Sequence, residues 1–232
     1  GSVGLGAPDG LTLYHGMMAH VGDFSVFGFT SPVDGGRHRF EVEGNWGDLN
    51  FYNLMGDFRR YFLANPVTFA FRVMHYGRYG QDSEDQRLTP MFLGHETMVR
   101  GYAVGSFSGQ ECSTASGGDS CPQFDRLIGS KLALANVELR IPLFGTEEFG
   151  LIDMDFLPTE LSLFADGGVA WTEESEPDLK FSTDDPGRIP VFSAGASARF
   201  NLFGRLIMEV YWARAFQRDD SSQLGFQLSP GW

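Results

Sequence analysis

Few side chains in this sequence are placed for covalent or acid–base chemistry. The five histidines, His15, His20, His38, His75 and His95, are scattered. No neighbouring Ser or Cys pattern turns any of them into a nucleophile elbow or a zinc motif. Asp153 and Asp155 stand two apart on a connection and would suit a cation, as would Asp184 with Asp185 and Asp219 with Asp220. A solvated acidic loop is the plainer reading of each. Gly4-Leu5-Gly6 lacks the strand–helix setting of a phosphate loop. The remaining reactive groups are the two cysteines, Cys112 and Cys121, joined by the flexible segment Ser113–Ser120. A disulfide between them fits an oxidising compartment and would contribute roughly 2–3 kcal/mol at most. Two free thiols are the alternative, and a metal site lacks ligands. The expectation is a protein that is not an enzyme and holds no cofactor or metal.

The elements that carry these residues are strands. The 232 residues fit one large domain or two small ones. With 30 Gly, 22 Phe and 14% aromatic residues, the composition favours β structure with many tight turns. The formal charge of −13 argues against nucleic acid, whose phosphates need a basic surface. Mean hydropathy is −0.16. No run approaches the ~18 apolar residues of a membrane-spanning helix. That excludes a helical membrane protein but not a transmembrane barrel, whose alternating strands average to ordinary hydropathy. Gly1–Gly6 lacks the basic and apolar regions of a signal peptide, so an exported chain would be processed or lack its beginning.

Apolar residues recur with period two nearly throughout. The pattern predicts a first strand near Leu11–Phe27, a turn at Ser31–Gly36 and a strand through Arg37–Trp46. Further strands follow at Leu49–Phe62 and Val67–Arg78. A long loop, 79–126, exceeds an ordinary hairpin connection and marks a functional or self-structured segment. Beyond it lie strands at Gly129–Leu143, Glu160–Thr172, Val191–Phe203, Arg205–Phe216 and Gln223–Trp232. The connection Phe144–Thr159 is read as holding a short helical turn. The count is about nine. Several strands exceed ten residues, long for a soluble sheet and suited to crossing a bilayer.

Alternation alone allows two structures. A soluble sandwich points its apolar face at a core, and a membrane barrel points it at lipid. The polar faces favour the barrel. Arg37, Arg39, Glu41 and Glu43 share one face of one strand, and Asn136, Glu138 and Arg140 share one face of another. Interleaved opposite charges suit a hydrated, ion-paired lumen. His75 falls on an apolar face and reads as an interface residue.

The ordered set Met98-Val99-Arg100-Gly101-Tyr102, Asn136-Val137-Glu138-Leu139-Arg140 and Phe164-Ala165-Asp166-Gly167-Gly168, with an aromatic last residue Trp232, resembles the Omp85 superfamily. The resemblance is to the BamA/TamA-type outer-membrane proteins (bacterial surface antigen family), in the C-terminal part of their barrel. It covers most of the chain and is strongest from Leu93 onward. It implies an all-β, antiparallel transmembrane β-barrel, with about nine C-terminal strands of a 16-stranded barrel and the long loop folded into the lumen. It also implies that Arg100 sits at the loop tip and contacts Glu138 and Asp166 on the inner wall. A planar guanidinium serves two carboxylates in fixed geometry, as lysine cannot. Gly101 would allow a backbone conformation or close approach barred to larger residues. Tyr102 would pack on the wall and hydrogen-bond through its hydroxyl. The last strand, with Phe226, Leu228 and Trp232, resembles a C-terminal assembly signal, although Pro230 removes a ladder donor.

An open nine-stranded sheet would leave two edges unsatisfied in lipid. The expectation is therefore a C-terminal piece completed by N-terminal strands of the same precursor or by another chain. The resemblance implies insertion or translocation of proteins at the bacterial outer membrane. The implied partners are outer-membrane lipids and either client outer-membrane proteins or subunits of the assembly machinery. The alternative is a plugged pore or a membrane anchor for a missing periplasmic or surface domain.

Overall fold

The structure, a computed structural model, describes residues 10–107, 111, 121–146, 150–154, 156–183 and 187–228. Gly4 to Gly6, Cys112, Asp155, Asp184, Asp185, Pro230 and Trp232 lie outside them. Among the described residues, alternating apolar side chains build nine long strands: β1 (Leu13–Asp23), β2 (Pro32–Gly47), β3 (Phe51–Ala64), β4 (Val67–Tyr79), β5 (Lys131–Gly145), β6 (Thr159–Trp171), β7 (Val191–Leu202), β8 (Leu206–Ala215) and β9 (Ser222–Leu228). Each pairs antiparallel with the next in sequence. The product is an all-β meander that does not close, since no ladder joins β1 to β9 among the described residues. No helix is long and apolar enough to cross a membrane.

The pleat separates the two faces as the alternation predicts, and burial decides between sandwich and barrel. The apolar side chains Val137, Leu163 and Trp212 are 43%, 55% and 46% exposed, whereas Glu138 and Arg199 are 0% and 2% exposed. A soluble sheet would reverse this order, because unpaired water-facing charge and buried apolar surface are its stable arrangement. A sheet that meets lipid with its outer face and packs charge within matches a membrane barrel. At the end that carries the long loop, Tyr52 stacks on Tyr79 at 5.7 Å and His75 on Trp171 at 5.7 Å. His75 Nε2 lies 2.7 Å from the Tyr79 hydroxyl. Amphipathic rings at the end of a sheet match the aromatic girdle of a membrane barrel.

Three local expectations are corrected. The first strand breaks after Asp23, and only Val26–Phe27 continues it. The chain turns before Pro32, not at Ser31–Gly36, because β2 already begins there. Gly35 sits inside β2 at φ +88, where an added Cβ would lie 2.2 Å from the Phe24 carbonyl oxygen. Glycine thus marks a strand irregularity where a turn was expected. The connection after β5 holds no helix among the described residues; Ile152–Asp153 instead pairs parallel with the end of β5.

Between β4 and β5 the chain folds back into the concave face. Met91–Phe92 pairs with Ile128–Gly129 at the base of this loop, and a short helix, α1 (Pro122–Asp125), returns it to the wall. Leu93, Val99, Tyr102 and Leu127 from the loop pack on Met74, Leu132, Leu134, Ala170, Val191 and Ala215 from the strands. The main apolar core thus lies between loop and wall, and it fixes where the loop tip points.

Candidate functional site

Apolar packing on both sides of Arg100, by Val99 and Tyr102, drives its guanidinium into the lumen with no route back to water. A buried cation must then be paired and hydrogen-bonded. Nε and Nη2 of Arg100 donate to the two oxygens of Asp166, both at 2.8 Å, and its backbone N–H adds a bond to Oδ2 at 3.2 Å. Nη1 reaches Glu138 at 2.7 Å and Glu209 at 3.1 Å. The guanidinium also lies 3.5 Å from the Phe164 ring centroid, a stacked cation–π contact. Asn136 Nδ2 orients the receiving carboxylate, bonding Asp166 Oδ1 at 2.9 Å and the Met98 carbonyl of the loop at 2.7 Å.

The wall residues are aligned by register. Glu160, Arg199, Glu209 and Gln227 are direct cross-strand neighbours along β6, β7, β8 and β9. Side chains opposite one another in this way touch on one face. Arg199 is the hub: it meets Glu138 at 2.8 Å, Glu160 at 3.0 Å and Glu209 at 3.2 Å. Arg140 adds a contact to Glu138 at 2.8 Å, and Gln227 Nε2 donates to Glu209 at 2.7 Å. Three guanidiniums, of Arg100, Arg140 and Arg199, thus face the four carboxylates of Glu138, Asp166, Glu160 and Glu209.

The extra carboxylate is met from the opposite end of the barrel. The β1–β2 connection reaches across the concave face as a strap. Its Ser31 and Thr30 hydroxyls donate to Glu160 Oε2 at 2.6 and 3.1 Å. Arg140 Nη1 holds the Pro32 carbonyl at 2.9 Å, and Asn201 Nδ2 holds that of Phe29. A continuous chain of charged hydrogen bonds therefore runs from the loop tip through Glu138 and Arg199 to the strap.

Gly101 has φ +88, and an added Cβ would lie 3.2 Å from Ala213 Cβ and 3.4 Å from Ala215 Cβ. Positive φ and the close wall both demand glycine. Tyr102 is fully buried. Its hydroxyl lies 3.0 Å from both the Phe192 carbonyl and Gln217 Oε1 and accepts the Gln217 N–H at 3.1 Å. Burial pushes this phenol well above its ordinary range.

Arg100, Glu138 and Asp166, singled out from the sequence, thus meet at one point with Gly101 and Tyr102 beside them. Glu209, Arg199, Glu160 and the strap hydroxyls were not assigned to the site. The only signal of Arg199 in the sequence is its alternation with the apolar residues Ala198 and Phe200, which puts it on a polar face. Phe226 and Leu228 lie apart from the lock, on the outer face of β9. They are 51% and 55% exposed, and Trp232 is outside the described residues. Cys121 is disulfide-bonded. Among the described residues, no group of three His, Cys, Asp or Glu side chains is arranged for a metal.

A curved antiparallel sheet with an apolar outside, a charged inside and its own loop clamped to the inner wall defines a membrane-embedded β-barrel sheet. The family model of the Omp85 superfamily domain matches residues 27–231. The chain belongs to the Omp85 superfamily, whose members are bacterial outer-membrane proteins concerned with protein insertion and translocation. A comparison with curated proteins gave no match.

Proposed function

We propose that this chain is the C-terminal part of a BamA/TamA-type barrel that assists insertion or translocation of proteins at the bacterial outer membrane. The observation that carries the reading is the Arg100 clamp, which seats the loop against β5, β6 and β8 beside a last strand paired on one side only among the described residues. Unpaired backbone is costly in lipid. The free edges of β1 and β9 are completed by further strands of the same precursor or by another chain. An edge so completed is the place for transient pairing with a client strand, by main-chain hydrogen bonding. The partners in this reading are outer-membrane lipids and client barrels or assembly-machinery subunits, with no enzymatic step.

The test is reconstitution of the protein, in its complete barrel, into liposomes with an unfolded outer-membrane barrel as client. Protease-protected client should accumulate with the wild type, and the yield should fall severalfold with Arg100→Ala. Equal yields from wild type, variant and empty liposomes would sink the proposal. A plugged pore is the second reading, favoured by the loop that fills the lumen. It requires single-channel conductance to rise in Arg100→Ala while client insertion stays at the level of empty liposomes.

A further inference from the structure

We propose that Arg218, in the connection between β8 and β9, is a positioning residue that couples the seat of the lumen loop to the last strand. The inference rests on the reading of the loop as part of the barrel's working machinery. Arg100 reaches from the loop to the wall; Arg218 reaches from the wall to the loop. Its Nε and Nη2 donate to the two oxygens of Glu111 at 2.9 and 2.8 Å. Its Nη1 donates to the Gly101 carbonyl and to Ser106 Oγ, both at 2.7 Å, and its Nη2 to the Ser106 carbonyl at 2.8 Å. The guanidinium packs 4.0 Å from the Phe107 ring centroid, and both members of the Arg218–Glu111 pair are fully buried. One side chain therefore ties three points of the loop, 101, 106 and 111. No lysine could do so, because the five donors of a guanidinium are fixed in one plane.

The connection that carries Arg218 is closed by its own hydrogen bonds. Ala215 N–H bonds the Ser221 carbonyl at 2.7 Å, and Gln223 Nε2 bonds the Asp220 carbonyl at 2.8 Å. The neighbouring Gln217 holds the Tyr102 hydroxyl and the Phe192 N–H. Displacement of the loop at Gly101, Ser106 or Glu111 is thus passed to Gln223 and to the start of β9. That strand pairs only with β8 among the described residues, over seven residues, Ser222–Leu228. It is the long strand least held by the sheet and the one most easily shifted from outside it.

Hydrogen–deuterium exchange on the complete chain in detergent micelles tests this, since exchange reports local opening segment by segment. Arg218→Met should speed exchange by about tenfold in residues 101–106 and in β9, with β3 and β4 unchanged. Arg218→Lys should recover part of the protection through Glu111. Glu111→Gln should add little when combined with Arg218→Met, because the two changes break one contact. A faster loop with an unchanged β9, or a uniform rise over all nine strands, overturns the proposal. The measurement needs no client, so a failure of the insertion reading leaves it interpretable.

Discussion

The inner faces of β2 and of β5 to β8 carry the same kind of residue and end in opposite environments. On β2, Arg37 lies 3.9 Å from Asp23 with their side chains 48% and 43% exposed, and Arg39 pairs with Glu41 on its own strand. On β5 to β8, Glu138, Arg140, Arg199 and Glu209 are all buried. The pleat alone treats both regions alike. The difference is the covering element: the loop packs on the upper wall from β4 to β9, and the strap meets β5 to β7. A charge pair left in water contributes about 0–1 kcal/mol. A buried pair adds little net stability when whole but costs about 3–5 kcal/mol when one partner is removed. The covered half is therefore brittle toward single substitutions, and the open half is tolerant. Asp57 marks the boundary: it holds Arg59 and Arg72, and Arg72 Nη1 reaches the Thr97 carbonyl of the loop at 2.8 Å.

The largest effect that sharpens this contrast is expected at the hub. Arg199→Met should cost about 3–5 kcal/mol, because Glu138, Glu160 and Glu209 all lose a buried cation. It should lower the temperature at which the folded band is lost on a gel by many degrees. Loss no greater than that of Arg39→Met would break the comparison between the two regions. Next comes the strap. Ser31→Ala removes a hydrogen bond to a charged acceptor and should cost about 1–2 kcal/mol, with Thr30 compensating in part. Its signature is faster proteolysis of residues 24–31, while loop cleavage stays unchanged.

A smaller effect is expected at the loop base. Glu84 accepts from the Ser130 hydroxyl and, at 2.8 Å, from the Glu173 N–H, and it lies 3.7 Å from Lys131 Nζ. Burial would raise its carboxyl, but these donors and the Lys131 charge outweigh it and hold the group below its ordinary 4.5. A lowered folded value means that its contribution is complete above 4.5 and is lost as the pH falls through the folded value. An acid-active protease should therefore cut residues 80–90 faster below that point, and Glu84→Gln should abolish the pH dependence. The smallest effect is Arg39→Met, expected within about 0.5–1 kcal/mol of wild type by the same gel assay.

Much of this architecture is legible along the chain. Strand count, the position of the long loop and the facing of Glu138 and Arg140 follow from a period of two. The break after Asp23 was not, because Gly35 reads as a turn residue until its strand partner is known. Glu209 was missed because nothing along β8 marks it as a lock residue; its role appears only opposite Arg199. Arg218 sat in a stretch that reads as a short polar loop, and nothing local distinguishes a buried arginine from a solvated one.

The amino-acid sequence by itself determined the side of the sheet on which each residue stands. That is a property of the pleat and needs only nearest neighbours in the chain. Through its family resemblance it also placed a guanidinium and two carboxylates where one lumen can hold them. The tertiary structure alone decided which charges lose water and which partners they find. Those outcomes depend on cross-strand register and on contacts such as Ser31 with Glu160, separated by 129 residues. Desolvation is collective: it requires the loop, the strap and five strands to arrive together, and no local pattern encodes that.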